Sequence, residues 1–89
     1  MLVLECRIPN IYSLKEKRHI LKKAIARIQN KLHLAVAEID YLDKWQHTII
    51  EIAAVANGKK QIENQLQKAL QLVEVDHELE VISFSIEYC

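Results

Sequence analysis

Residues that interrupt or cross-link a chain are scarce in this sequence, which has one glycine, one proline and two cysteines among its 89 residues. So little glycine and proline excludes a disordered or low-complexity chain, and a single glycine excludes a glycine-rich phosphate-binding loop. Two cysteines, Cys6 and Cys89, are too few for the disulfide framework of a small secreted domain. We therefore expect a reduced, cytoplasmic setting.

The sequence also has no long apolar run. None approaches the roughly 18 residues that a membrane-spanning helix needs, and Met1 leads into a strand-like pattern without the basic segment of a signal peptide. The residues are 51% apolar and 27% charged, which is typical of a folded domain. Because 89 residues suffice for one core but not for two, we expect a single soluble domain over residues 1–89 with no membrane partner.

Charge is balanced overall but not along the chain. Lys plus Arg and Asp plus Glu number twelve each. Residues 1–39 nevertheless carry eight basic and three acidic side chains, whereas residues 40–89 carry four and nine. Two interpretations follow. The two halves either neutralise each other across the folded surface, or the basic half contacts an acidic partner.

The first third of the chain predicts a strand followed by a helix. Apolar side chains alternate over residues 2–8, on the side shared by Leu2, Leu4, Cys6 and Ile8. Ser13 and Glu16 then have the spacing of a helix capping box. The helix is predicted to begin at Leu14 and to present one apolar stripe, formed by Leu21, Ala24, Ile25, Ile28 and Leu32.

The rest of the chain predicts two strands, a helix and a last strand. Residues 34–39 are apolar at both parities, so we expect this strand to be buried on both faces or to pair with another surface. A loop at 40–47 leads to a strand at 48–56, and Asn57 is predicted to cap the second helix. That helix has the apolar stripe Ile62, Leu66, Ala69, Leu70 and Val73. After an acidic connection at 74–80, the last strand is predicted to face the helices with Ile82, Phe84, Ile86 and Tyr88.

The predicted order is βαββαβ, an α+β architecture. Two right-handed βαβ units interlock into a four-stranded antiparallel sheet of order 4-1-3-2, with both helices on one face. This topology brings the start of the first helix, the loop at 40–47 and the connection at 74–80 to one end. We call eight residues there the rim, a candidate partner-binding surface formed by Lys15, Lys17, Arg18, Glu38, Asp40, Asp43, Trp45 and Gln46.

Lys17 is the most unusual residue of the rim. On a helical wheel it falls about 40° from Leu21, inside the apolar arc, so its stem is expected to be packed and its ammonium to need a partner. Either Lys17 or Arg18 pairs with Glu38 or Asp40 and clasps the helix to the sheet, or these groups bind a ligand. Trp45 has two interpretations as well, a lid over the end of the core or an interface anchor.

Three segments carry a family resemblance: Ser-Leu-Lys-Glu-Lys-Arg at 13–18, Val-Ala-Glu-Ile-Asp at 36–40 and Asp-Lys-Trp-Gln at 43–46. Together they resemble the YlxP-like family of small bacterial proteins, a group of unknown function, and the resemblance covers the full chain. It implies a ferredoxin-like domain. It also implies a link to translation, because in many genomes the genes of this family lie among those for translation and ribosome maturation factors. It implies no catalytic residues.

Catalytic and metal-binding patterns are missing. The candidate ligands His33, His47, His77 and Cys6 lie in separate predicted elements, without the spacing of a metal site. No nucleophile elbow is present. We therefore expect no metal, no cofactor and no enzymatic activity. The outward side of the predicted central strands lacks the aromatic residues with which RNA-recognition domains stack bases, and Arg7 is expected to pair with Glu51 across strands.

Three functional hypotheses remain. The first is a binding module that contacts ribosomal RNA or a ribosome-associated protein through the rim and the basic first helix, whose cations are Lys15, Lys17, Arg18, Lys22, Lys23, Arg27 and Lys31. The second is a homodimer or protein-interaction domain that uses the strand at 34–39 together with Val3, Ile49 and Val55. The third is a small-molecule-binding regulatory domain, for which the fold alone argues.

Overall fold

A computed structural model describes residues 1–88, which form one four-stranded sheet with two helices on one face. The elements are β1 (Leu2–Arg7), α1 (Leu14–Leu32), β2 (Ala35–Asp40), β3 (His47–Ala53), α2 (Lys59–Glu74) and β4 (Glu80–Ile86). The strands are antiparallel in the order β2-β3-β1-β4, which is the predicted 4-1-3-2 counted from the other edge. The predicted ferredoxin-like fold is therefore confirmed. Cys89 lies outside the described residues.

The core lies between the helices and one face of the two central strands. Leu2 and Leu4 of β1 stand opposite Ile52 and Ile50 of β3, and all four side chains are fully or almost fully buried. The predicted helix stripes cover them, with buried residues Ile20, Leu21, Ala24 and Ile28 in α1 and Leu66, Ala69, Leu70 and Val73 in α2. Period-2 and helical patterns thus identified most of the core, but they missed Ile20, which is buried, and included Ile25, which is only partly buried.

The ends of α1 follow from local chemistry. The Ser13 hydroxyl accepts a hydrogen bond from the Glu16 N–H at 3.2 Å, as the capping-box spacing predicts. The helix ends at His33, which adopts the left-handed conformation at φ 55° and donates its N–H to the Gln29 carbonyl at 2.9 Å. Among residues 1–88, neither helix is long and apolar enough to cross a membrane.

The start of α2 differs from the prediction. Gly58, not Asn57, is the N-cap residue, and no side chain accepts a hydrogen bond from the first turn. The reason is the strand before it, which ends at Ala53 rather than at residue 56, so the chain runs on through Asn57 before it turns. Because glycine is only a few tenths of a kcal/mol worse than asparagine as an N-cap, local preference does not decide between two neighbouring positions.

The two edge strands also differ from the prediction. Strand β2 is not buried on both faces, since only Val36 and Glu38 are partly covered and Ala35 and Ala37 are exposed. In β4 a bulge places Val81 opposite Cys6, so that Val81 packs against the core in place of the predicted Ile82. Ile82, Phe84 and Tyr88 remain 46–51% exposed. An edge strand has a neighbour on one side only, which leaves Ile82 and Phe84 open, and Tyr88 lies beyond the end of β4.

Both edges carry a register shift, in β2 between Glu38 and Asp40 and in β4 opposite Glu5 and Cys6. Bulges of this kind disturb the row of free backbone groups that another strand would need for pairing. The register also corrects a predicted ion pair. Arg7 lies opposite His47 and Glu80, and its guanidinium is 3.4 Å from the Glu80 carboxylate rather than beside Glu51.

Candidate functional site

Lys17 forms the centre of the rim. Its side chain is 1% exposed because its helical neighbours Leu21 and Ala24 are core residues. The ammonium lies 2.9 Å from Glu38 Oε2 and donates to the Tyr41 carbonyl at 2.5 Å. Thr48, also fully buried, donates its hydroxyl to the same Glu38 oxygen at 2.6 Å. We call Lys17, Glu38, Tyr41 and Thr48 the clasp. Of the pairings left open between Lys17 or Arg18 and Glu38 or Asp40, the structure contains that of Lys17 with Glu38.

The backbone of Tyr41 is the part of the clasp that sequence analysis missed. Tyr41 has a positive φ of 58°, and its N–H donates to the carboxylate of the preceding Asp40 at 2.7 Å. Its carbonyl accepts from both Lys17 and the Lys44 N–H. Asp40 therefore shapes the turn, and it pairs with no cation among residues 1–88. No side-chain pattern could have revealed a backbone acceptor here.

The loop at 41–46 presents the remaining rim residues. Gln46 holds the loop to the segment before α1, because its side-chain amide donates to the Ile11 carbonyl at 3.2 Å and its own carbonyl accepts from the Ile8 N–H at 3.0 Å. Trp45 is 48% exposed and lies in a shallow depression that Arg7 and Asp43 also line. About half of the Trp45 surface is covered and half is open, which fits both interpretations of this residue.

The cations of α1 fall into two groups. Lys23 pairs with Glu78 at 2.8 Å and Arg27 with Asp76 at 3.1 Å, so the acidic connection before β4 neutralises this part of the helix. Four exposed cations make no ion pair within residues 1–88, namely Lys31 in the last turn of the helix and three others in successive turns nearer its start. We call these three, which are Lys15, Arg18 and Lys22, the basic stripe. Some of the excess positive charge of the first half is thus neutralised by the acidic second half, and the rest is exposed.

A second polar cluster lies on the sheet face away from the helices. The His47 ring nitrogen Nε2 is 2.7 Å from one oxygen of Glu5, and the Ser83 hydroxyl donates to the other at 3.4 Å. The Tyr41 ring packs against His47 with 4.7 Å between ring centres. These residues come from three strands and a loop, so only the strand register brings them together.

Two observations bear on thiol and metal chemistry in the described part of the chain. Burial, with the nearby Glu5 charge, raises the pKa of the Cys6 thiol to about 11, so the thiol stays protonated and unreactive at neutral pH. Within residues 1–88, no three His, Cys, Asp or Glu side chains come together as a metal site would require. What the rim offers is a rigid clasp, an exposed indole and free cations.

Comparison with known proteins identifies the family of this chain. Residues 1–86 match the sequence model of the family described as "Protein of unknown function (DUF503)". A relative from Bacillus subtilis (strain 168), described as "Uncharacterized protein YlxP", is 43% identical over 76 residues, which are 85% of this chain and 83% of that protein. The chain belongs to the DUF503 family of proteins of unknown function.

Proposed function

We propose that this protein is a non-enzymatic binding module whose basic stripe contacts the phosphate backbone of ribosomal RNA. The observation that carries the proposal is the division of the cations on α1. The fold neutralises Lys17, Lys23 and Arg27 internally. It leaves the basic stripe exposed and without carboxylate partners among the described residues.

The geometry suits a polyanion. Lys15 and Lys22 are seven residues apart on one helix, a span of about 10 Å, so the stripe can contact separate phosphates along a strand. The clasp holds this first part of α1 on the sheet through Lys17. Trp45 adds an exposed aromatic surface at the same end, and exposed aromatics stack on unpaired bases.

A salt series on binding to ribosomal RNA tests the proposal. Three phosphate contacts predict that log K falls with log salt at a slope of roughly −3 for duplex RNA and roughly −2 for single-stranded RNA. Replacing the basic stripe by glutamine (Lys15→Gln, Arg18→Gln, Lys22→Gln) should bring the slope close to zero.

The matched control removes the same charge from other exposed positions, Lys31→Gln, Lys60→Gln and Lys68→Gln. This variant should retain most of the affinity and the slope. A flat slope for the wild type, or an equal loss in both triple variants, would contradict an RNA site at the stripe.

A homodimer is the second candidate, favoured by the sheet face that no helix covers. Val3 and Ile49 are only half-buried there, on the two central strands. Val55, which sequence analysis also assigned to this face, lies beyond the end of β3 and is 92% exposed. The edges are poorer candidates because both are bulged.

Light scattering at high concentration checks the dimer. We expect a dimeric mass for the wild type and a monomeric mass for Ile49→Lys, which places a charge at the centre of the face. A monomeric wild type removes this candidate. RNA binding by the Ile49→Lys variant separates the two functions, since the basic stripe lies on the helical layer.

A further inference from the structure

A cavity lies at the end of the sheet opposite the rim. Its volume is about 640 Å³, larger than the 470 Å³ depression beside Trp45. Most of its wall is apolar and comes from the segment between β3 and α2, from the first turns of α2 and from the end of the chain beyond β4. The apolar lining residues are Met1, Ala53, Ala54, Val55, Ala56 and Ile62.

One aromatic side chain is held in position at the edge of this cavity. The Tyr88 hydroxyl donates to Glu63 at 3.1 Å, and the Lys59 ammonium lies 4.8 Å from the centre of the Tyr88 ring. The N–H of Glu87 donates to the Met1 carbonyl at 2.7 Å, which holds the backbone just before Tyr88 against the start of β1. Tyr88 remains 46% exposed, so part of its ring is open to a ligand.

One cationic side chain, that of Lys59, lines the same cavity. Lys59 makes no ion pair with any described carboxylate. It is the first residue of α2, whose first turn has no acidic residue and no side-chain cap. A Cβ added to Gly58 would meet no atom within 4 Å, so the space beside the residue that precedes this turn is open. An ammonium, unpaired N–H groups and the positive end of a helix dipole all favour an anion.

We propose that this cavity binds a small organic anion, with a carboxylate or phosphate group and a flat apolar body. The anionic group lies between Lys59 and the N–H groups of the first turn of α2. The apolar body packs on the alanine wall, Ile62 and the open part of the Tyr88 ring. Glu87 is the one carboxylate among the residues that line the cavity, and it disfavours ligands of high negative charge.

Titration of the isotope-labelled protein with phenylacetate, followed through the backbone amide resonances, tests the site. Saturable shifts are expected at the amides of residues 58–62. Phenylacetamide, which lacks the charge, and acetate, which lacks the ring, should each bind at least tenfold more weakly. Phenyl phosphate in the same titration distinguishes a phosphate site from a carboxylate site. If phenylacetate and phenylacetamide bind equally, or if neither anion shifts these amides, the proposal is wrong.

Two variants with opposite effects on the helix sharpen the test. Lys59→Met removes the charge, and Gly58→Asp places a carboxylate where the anion would lie while it improves the helix cap. Both should weaken phenylacetate roughly tenfold, although Gly58→Asp should unfold at a higher temperature than the wild type. The control Lys60→Met should bind like the wild type. Loss in Lys60→Met equal to that in Lys59→Met would contradict the site.

The glutamine variant of the basic stripe separates this site from the proposed function. The basic stripe lies at the other end of the molecule from the cavity, so this variant should bind phenylacetate as the wild type does. Phenylacetate binding that disappears with the stripe would contradict the cavity site.

Discussion

For Lys17, the sequence predicts that the side chain is packed and that its ammonium has a partner, but it does not predict which residue the partner is. Its place inside the apolar arc of α1 predicts a packed stem and a partnered ammonium, and both are present. The choice of Glu38 over Asp40 depends on the β2 register shift between these two residues. Asp40 instead accepts from the Tyr41 N–H. The partner therefore follows from backbone geometry that no side-chain spacing encodes.

Within the clasp, Lys17 and Glu38 should be strongly coupled in their contributions to the free energy of unfolding. Lys17→Met keeps the stem but leaves Glu38, whose side chain is 17% exposed, without its cation. We expect a loss of about 3 kcal/mol in the free energy of unfolding, because an unpaired charge remains largely buried. Adding Glu38→Gln should recover most of this loss, since glutamine still accepts from Thr48 and no charge is left.

Urea denaturation of the two single variants and the double variant measures the coupling. The exposed Lys15→Met serves as control and should change stability by less than about 0.5 kcal/mol. Additive losses in the double variant would show that Lys17 and Glu38 do not act as a pair.

The burial of one residue, Cys6, makes the stability of the protein depend on pH. Its pKa is raised from 9.0 to about 11 in the folded protein, first by burial and then by the Glu5 charge. Between these values the unfolded chain loses the thiol proton while the folded chain keeps it. Stability from this group is therefore complete below pH 9 and declines as the pH rises through about 11.

The comparison of wild type with Cys6→Ala isolates this effect, because other groups titrate alike in both proteins. The wild type should lose roughly 1.4 kcal/mol more per pH unit between pH 9 and 11. Parallel stability curves over this range would contradict the raised pKa. The alanine variant will be less stable throughout, so the slopes rather than the absolute values are compared.

Helices and strands were predicted well where a pattern repeats along the chain, and poorly where a single residue sets a strand register or a helix boundary. Alternation in β1 and the stripes of both helices are repeated signals, and most of their buried residues were identified, with Ile20 as the exception in α1. A bulge is a single inserted residue, so the core position taken by Val81 instead of Ile82 has no signature in an alternating strand. The same holds for the one-residue shift of the cap from Asn57 to Gly58.

Gly58 is also the element-scale position where stability can be raised. It has φ −129°, which any residue adopts, and open space beside it. Gly58→Asp should stabilise the protein by roughly 0.5–1 kcal/mol, since the carboxylate caps the first turn and favours the positive end of the helix dipole. Thermal and urea unfolding measure the gain, and Gly58→Ala, which cannot cap, is the control. Equal stability of the aspartate and alanine variants would show that capping is not the cause.

At the scale of the whole molecule, handedness and strand order followed from sequence because few topologies satisfy two interlocked βαβ units. The partition of charge did not follow. The sequence shows a basic first half and an acidic second half, but not which cations meet which acids. Arg27 and Lys23 reach Asp76 and Glu78 only because α1 lies beside the connection that ends α2 and begins β4. On the first half of α1, the basic stripe is left without a carboxylate partner among the described residues after this pairing.

These two bridges between the halves should contribute very differently. The Asp76 side chain is 7% exposed and accepts from both Arg27 and the Glu78 N–H, whereas the Lys23 and Glu78 side chains are nearly half exposed. Asp76→Asn should cost roughly 1.5–3 kcal/mol, as loss of hydrogen bonds to a buried charge does. Glu78→Gln should cost less than about 1 kcal/mol, because water and salt screen an exposed pair.

Urea denaturation at low and high salt distinguishes the two bridges. The small cost of Glu78→Gln should disappear in about 1 M salt, where charges are screened within about 3 Å. The cost of Asp76→Asn should persist, since its partners lie in a covered position. If both variants lose the same stability, and salt removes both losses, the halves of the molecule are joined by surface attraction alone. A persistent cost at Asp76 instead means that one buried bridge fixes α1 to the start of β4 and so sets which cations are left for a partner.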